Sequence, residues 1–291
     1  MLKLSVPKAF VTTALAAVMV FSAVPAQAGM FDFLGLGKKK QDDALSPDLG
    51  RSDDQQVAAL YNGALDQMTK GNYNNAAKKF AEVERLHPYS KWATKAILMQ
   101  GFSFYQSNKY ADAIDACQRF ITLHPGHENI DYAYYMVALS QYEQINDITR
   151  DQKPTQEALD ALEEVQRRFP QSRYAADAGQ KALLARDHLA GKEMEIGRYY
   201  FKKGDWMAGI NRFKTVITGY QQTSQAPEAL YRLTEGYMAL GIRSEAQTAA
   251  AVLGHNFPRS SWYKDAYQLV STDGQAPVGN NTSWIWKAFG L

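Results

Sequence analysis

Apolar residues recur every three or four positions through most of the chain after residue 57, with polar residues between them. Residues at this spacing lie on one face of an α-helix, so the pattern predicts a series of amphipathic helices, each with one buried side. Two segments show the pattern most clearly, namely Ala77, Phe80, Val83 and Leu86, and then Ala113, Ile114, Cys117 and Phe120.

Turn signals separate the predicted helices at regular intervals. In three cases a proline follows the first turn residue by 17 positions, where it ends the second helix of a pair. Small residues follow each turn and predict points where two helices approach closely. The turns are Gly71-Asn72-Tyr73, Asn108-Lys109-Tyr110, Gly204-Asp205-Trp206 and Gly241-Ile242-Arg243, the prolines are Pro88, Pro125 and Pro258, and the small residues are Ala76, Ala77, Ala113, Ala208 and Ala246.

Pro170 marks the end of a further helix pair. Counting back 17 positions from it reaches Lys153, at the turn of that pair, and this turn is enlarged by residues 145–152. A single pair cannot bury its apolar face alone, so neighbouring pairs stack. We therefore predict an all-α, tetratricopeptide-like helical solenoid of about five helix pairs, with a concave side open to partners. The pairs span residues 57–90, 91–127, 129–172, 175–223 and 225–267.

The two ends of the chain differ from this repeat region. Lys3 and Lys8 precede an apolar run at residues 10–23, and small residues follow at Ala26 and Ala28, which is typical of a signal peptide. We predict a signal peptide at residues 1–28 and export to the periplasm. Residues 29–56 are predicted to be a flexible N-terminal segment, and residues 271–291 a flexible tail with an aromatic end.

Composition and motifs exclude several function classes. Lys and Arg number 32 against 30 for Asp and Glu, so the charge of +2 does not favour nucleic acid as a partner. The sequence has no P-loop, dinucleotide-binding glycine pattern, zinc-protease motif or nucleophile elbow, and we predict neither a cofactor nor an enzymatic activity. His124 and His127 lack the companion ligands of a metal site. Cys117, the only cysteine, aligns with Phe80, which predicts a buried thiol.

Several segments resemble the outer-membrane assembly factor family BamD, also called ComL, along nearly the whole mature chain. They include the His-Pro-Tyr-Ser sequence at residues 87–90 and the Arg-Asp-Gln sequence at residues 150–152. A general tetratricopeptide protein matches only turn and small-residue positions. The other matching segments are residues 73–86, 124–135, 142–147, 172–177, 187–194, 197–200 and 251–256.

This resemblance implies a component of the machinery that folds β-barrel proteins and inserts them into the outer membrane of a Gram-negative envelope. It implies that repeats 1–3, residues 57–172, receive the aromatic C-terminal signals of unfolded barrel proteins. Repeats 4–5, residues 173–270, are implied to dock on the periplasmic domains of the barrel-forming subunit. Other subunits of the assembly complex are further expected partners.

Particular residues follow from this division. The resemblance assigns to Arg212 a salt bridge with a carboxylate of the barrel-forming subunit. For the substrate signal we predict the first-helix surface around Tyr61, Phe102, Tyr105 and Tyr134, with core packing as the alternative role of each.

The membrane anchor departs from the family pattern. Family members carry a lipid-modified cysteine directly after the signal sequence, where this chain has Gly29 and Met30. We expect protein docking to hold the chain at the periplasmic face of the outer membrane. Residues 31–40 combine apolar and basic side chains and residues 284–291 are aromatic, so both ends are either weak membrane-surface contacts or flexible flanks.

Two other function classes stay open at this point. One is a periplasmic tetratricopeptide scaffold that coordinates cell-wall synthesis with envelope constriction, although no sustained heptad pattern of the kind found in those proteins precedes Leu60. The other is an envelope hydrolase, which needs a pocket of converging titratable groups that the sequence does not indicate.

Overall fold

Twelve α-helices and no β-strand occur in the computed structural model, which describes residues 49–271 and 276–290. The all-α prediction is confirmed. The helices are α1 (Leu49–Thr69), α2 (Tyr73–Leu86), α3 (Lys91–Gln106), α4 (Tyr110–Leu123), α5 (Ile130–Tyr142), α6 (Lys153–Arg168), α7 (Ala175–Lys202), α8 (Trp206–Gly219), α9 (Ala226–Ala239), α10 (Arg243–Asn256), α11 (Ser261–Val270) and α12 (Trp284–Ala288).

The four predicted turns all use a left-handed backbone conformation. Gly71, Gly204 and Gly241 have φ angles of 77°, 78° and 75°, and Asn108 has a φ angle of 58°. Glycine has no Cβ to clash in this region and asparagine tolerates it better than most residues. Each turn reverses the chain within a few residues, so the second helix of a pair returns along the first.

Helices α1 to α10 form five consecutive pairs, and each helix packs against the next one along the chain. The first helices α1, α3, α5 and α7 also contact one another from pair to pair, whereas consecutive second helices lie farther apart. The array is therefore a solenoid whose first helices line the concave side and whose second helices leave grooves on the convex side.

The small residues after the turns mark the closest helix approaches, with one correction to the sequence prediction. Ala76, Ala113 and Ala246 are fully buried, as expected. In the fourth pair the equivalent position is Gly209, and Ala208 is half-buried one residue away. A Cβ at Gly209 would meet the Phe201 ring and lie 3.0 Å from the carbonyl oxygen of Gly197. Gly209 follows Gly204 by five residues, the same spacing by which Ala76 follows Gly71.

Cys117 occupies the core, which confirms the predicted buried thiol. Its side chain is fully buried on α4, and a Cβ added at Gly101 on α3 would meet its Sγ atom. Burial raises the pKa of the Cys117 thiol to about 12. The thiolate, which is the reactive form, is therefore scarce at neutral pH.

The C-terminal end is packed where a flexible tail was predicted. In residues 276–290, Ile285 is fully buried, and Trp284, Trp286 and Phe289 are half-buried against the last repeats. The aromatic side chains of this end supply a contact within the protein. Helix α11 covers α9 and α10 at the end of the array.

The first helix begins earlier in the chain than predicted. Helix α1 begins at Leu49, so residues 49–56 are helical and not part of a flexible segment. The predicted signal peptide and the apolar-basic residues 31–40 lie outside the described residues. Of the helices in the described part, none has the length and apolar character needed to cross a membrane.

Replacing Gly209 with Ala tests the close approach of α7 and α8. Overpacking costs about 1–3 kcal/mol, and the better helix propensity of alanine returns about 0.5–1 kcal/mol. We expect the free energy of unfolding to fall by about 1–2 kcal/mol in urea denaturation followed by circular dichroism. Gly219→Ala is the matched control on the same helix, because an added Cβ there meets nothing within 4 Å. Equal stability of Gly209→Ala and the parent would contradict the packing.

Candidate partner-binding surfaces

The concave face of repeats 2 and 3 carries tyrosines paired with acidic groups. Tyr105, near the end of α3, donates a 3.1 Å hydrogen bond to Glu143 just after α5. The ring of Tyr110 lies 5.8 Å from that of Tyr105. The pair links two first helices of neighbouring repeats and leaves the Tyr105 side chain half-exposed.

A second pair continues this face toward α7. Tyr135 on α5 donates a hydrogen bond to Asp177 in the first turn of α7, and its ring stacks on Tyr174 at 4.8 Å. Lys181 holds both Asp177 oxygens at 2.7 Å. Leu184 is 58% exposed and follows Asp177 and Lys181 on the same stripe of α7. The concave face therefore offers aromatic and apolar surface beside polar groups.

These phenols stay protonated at neutral pH. Burial raises the pKa of Tyr105, and so do the charge and hydrogen bond of Glu143. Burial and the hydrogen bond to Asp177 raise the pKa of Tyr135 in the same direction. The tyrosines therefore act as hydrogen-bond donors and apolar surface, and not as bases.

Two predicted substrate residues lie in the core. Tyr61 is 3% exposed and packs against Phe80 and Trp92, and burial raises its pKa to about 12. Phe102 is 6% exposed with its ring edge against Tyr73. In this packing both side chains have the core role that was the alternative to substrate binding. Sequence periodicity gave no way to separate Phe102 from Tyr105, because apolar and aromatic residues occupy both faces of α3.

Tyr134 lies on a different surface from Tyr105. Its ring packs against Phe169 at 5.3 Å, and its hydroxyl accepts a 2.7 Å hydrogen bond from Arg168 on α6. It lines the groove between α4 and α6, on the convex side. The four predicted residues therefore do not form one site, and Tyr135, one position further along the helix, is the concave tyrosine that the prediction missed.

Arg212 is half-exposed on α8 and already has an acidic partner. Its Nη1 atom lies 3.2 Å from Oε2 of Glu193 on α7, and the arginine side chain keeps 43% of its surface exposed. A guanidinium has five donors, so this contact leaves others free to meet a second carboxylate. Trp206 at the start of α8 packs edge-on against Phe201 at 4.8 Å and holds the two helices together.

An ion-pair network covers the first helices of repeats 4 and 5. Glu228 on α9 is only 15% exposed and bridges Arg198 at 3.0 Å and Arg232 at 3.3 Å. Arg232 also meets Glu235 at 2.8 Å and lies over the Trp262 ring at 5.7 Å. The spacing of Glu228, Arg232 and Glu235 along one helix face was the sequence signal that could have revealed this network.

His124 and His127 have packing roles. Their rings lie 5.5 Å and 5.2 Å from the Phe120 ring, and His127 Nδ1 accepts a hydrogen bond from the Asn129 backbone. Burial lowers the pKa of His127. Across residues 49–271 and 276–290, no group of three or more His, Cys, Asp or Glu side chains is arranged to hold a metal ion.

Known proteins match the array along most of its length. Residues 53–253 match the family model YfiO, described as outer membrane lipoprotein. The outer membrane protein assembly factor BamD of Caulobacter vibrioides is 47% identical over 226 residues, which are 78% of this chain and 74% of that protein. Its counterpart from Rickettsia prowazekii is 44% identical over 233 residues, which are 80% of this chain and 89% of that protein. A solved tetratricopeptide-repeat protein of Thermus thermophilus is 15% identical with a TM-score of 0.34, and the match covers 74% of this chain and 98% of that one.

A double-mutant cycle tests the link between α5 and α7. Tyr135→Phe removes the hydrogen bond to Asp177, and we expect it to lower the free energy of unfolding by about 0.5–1.5 kcal/mol. Asp177→Ala removes the same hydrogen bond together with the contact to Lys181, so we expect it to cost more than Tyr135→Phe. The double variant should lose less than the sum of the two, since one interaction is removed twice. Additive losses in urea denaturation would show that the two side chains do not interact.

Proposed function

Because the chain belongs to the BamD family of outer membrane protein assembly factors, we propose that it is a subunit of the machinery that folds and inserts β-barrel proteins into the outer membrane. The observation that carries the proposal is the match of more than three quarters of the chain to relatives named as assembly factors. We place the exported chain on the periplasmic face of the membrane.

The proposed role is binding without catalysis. The concave tyrosines are held by Glu143 and Asp177 and keep their protons at neutral pH, so they suit recognition better than acid–base chemistry. A rigid helical array that presents half-exposed aromatic side chains fits an extended segment with alternating apolar residues.

We assign the concave face of repeats 1–3 to the aromatic C-terminal signals of unfolded barrel proteins. Tyr105 offers a half-exposed ring there, and Leu184 extends the apolar surface toward repeat 4. The carboxylates beside the rings are already engaged, Glu143 by Tyr105 and Asp177 by Tyr135 and Lys181. Lys181 offsets the charge of Asp177, so repulsion of a free C-terminal carboxylate by Asp177 is reduced.

We assign docking on the barrel-forming subunit to repeats 4 and 5, with Arg212 reaching a carboxylate of that subunit. The exposure of the Arg212 side chain and the guanidinium donors that Glu193 does not use support this role. We further propose that this docking helps to hold the chain at the membrane. Other subunits of the complex are then neighbours in the same assembly.

The substrate assignment predicts different effects for Tyr105 and for a tyrosine that no proposed site includes. Tyr105→Ala should weaken binding of a labelled peptide with an aromatic C-terminal residue by roughly tenfold, since a well-placed aromatic contact is worth about 1–2 kcal/mol. Tyr89→Ala, in the exposed turn between α2 and α3, is the control and should leave this affinity unchanged. Fluorescence anisotropy measures both. Equal affinity of parent and Tyr105→Ala would remove the concave face from substrate binding.

The docking assignment is tested by purifying the tagged chain from an envelope extract and measuring co-purified barrel-forming subunit. Arg212→Ala should reduce the recovered subunit about tenfold or more, because the loss of a charged contact at an interface typically costs about 2 kcal/mol.

Glu193→Gln distinguishes a role of Arg212 in docking from its role in the ion pair with Glu193. It frees Arg212 from its internal partner, so it should leave recovery unchanged or raise it. If both variants reduce recovery equally, Arg212 acts only within the chain. Recovery of no barrel-forming subunit with the parent chain would contradict the proposed function itself.

A further inference from the structure

The C-terminal segment fills a groove between two second helices on the convex side. Helix α12 packs against both α8 and α10. Lys214 on α8 lies 4.7 Å above the Trp284 ring. Gln221, two residues after the end of α8, donates a hydrogen bond to the carbonyl oxygen of Ala288. Between these contacts Ile285 is fully buried.

The groove that holds this segment has an apolar base. Ile285 belongs to the same buried cluster as Ile217 of α8 and Val252 of α10. The Trp286 ring lies over His255 at 6.3 Å, and the Phe289 ring lies 6.2 Å from Phe257. An aliphatic anchor flanked by aromatic side chains is therefore the kind of segment that this groove accepts.

The repeat register identifies an equivalent groove two repeats earlier, between α4 and α6. Tyr110 and Trp206 occupy the same repeat position, which aligns α4 with α8, and Pro170 and Pro258 align α6 with α10. In this register Gln118 corresponds to Lys214, Ile121 to Ile217, Ala161 to Ala249 and Glu164 to Val252.

The groove between α4 and α6 is open. It forms a cavity of about 370 Å³ that extends from Gln118 to Glu164, with Tyr134 and Val137 of α5 at its base. Ile121 and Ala161 are half-exposed there, whereas their equivalents in the filled groove are fully buried. The remaining lining residue is Thr122.

We propose that the groove between α4 and α6 binds a short helical segment of a protein partner, with an aliphatic anchor flanked by aromatic side chains as in residues 284–286. The anchor lies against Ile121 and Ala161, in the way that Ile285 lies in the later groove. Glu164 replaces the buried valine and is held by Arg168 at 2.8 Å, which gives this groove a polar rim. The basis is the groove's own geometry, so the inference does not rest on the assembly role.

The probe is a fluorescent synthetic peptide of residues 276–290, added to the full chain whose own C-terminal segment fills the later groove. We expect saturable binding, and a loss of at least roughly tenfold in affinity when Ala161→Trp fills the cavity. Ala59→Trp, on the exposed surface of α1, is the matched control and should bind like the parent. A peptide with Asp in place of Ile285 should not bind.

A photo-crosslinker at the peptide's Lys287 position shows where the peptide lies. Adducts on α4 or α6 support the proposal, and adducts confined to α8 or α10 overturn it, because the peptide then only exchanges with the resident segment. Absence of saturable binding at about 1 mM peptide also overturns it. Ile121→Lys is a second blocking variant for the case in which Ala161→Trp alters the helical circular dichroism spectrum.

Discussion

The fold depends on the close approach of the two helices in each pair. A left-handed residue at Gly71, Asn108, Gly204 or Gly241 reverses the chain, and a small residue five positions later lets the second helix pack against the first. Where that residue is Gly209, the helices are so close that no side chain fits between them. Each pair still exposes an apolar face, so every repeat relies on the next one for its burial.

Stacking of this kind makes the two sides of the array different. First helices touch from pair to pair and bring side chains such as Tyr105 and Tyr135 within reach of carboxylates on the neighbouring repeat. Second helices splay apart and leave grooves, one of which the chain fills with its own C-terminal segment. The concave side therefore suits extended segments, and the convex side suits short helices.

Several charged and phenolic groups on these surfaces already have partners within the chain. Arg212 meets Glu193, Tyr105 meets Glu143, and Glu228 bridges two arginines. A partner that binds here must join or replace these contacts, so the gain in affinity from any one charge is modest. Such arrangements contribute mainly to specificity and orientation, since an incorrect partner leaves the groups without matching charges.

The sequence alone determined the helical class, the five pairs, the turns and the burial of Cys117, because these follow from local backbone preferences and from the helical period of apolar residues. It did not separate Tyr61 and Phe102 from Tyr105, or place Tyr134 on the convex side. It also predicted a flexible tail where Ile285 is buried. These features depend on which helix lies opposite each side chain, and only the packing of distant segments decides that.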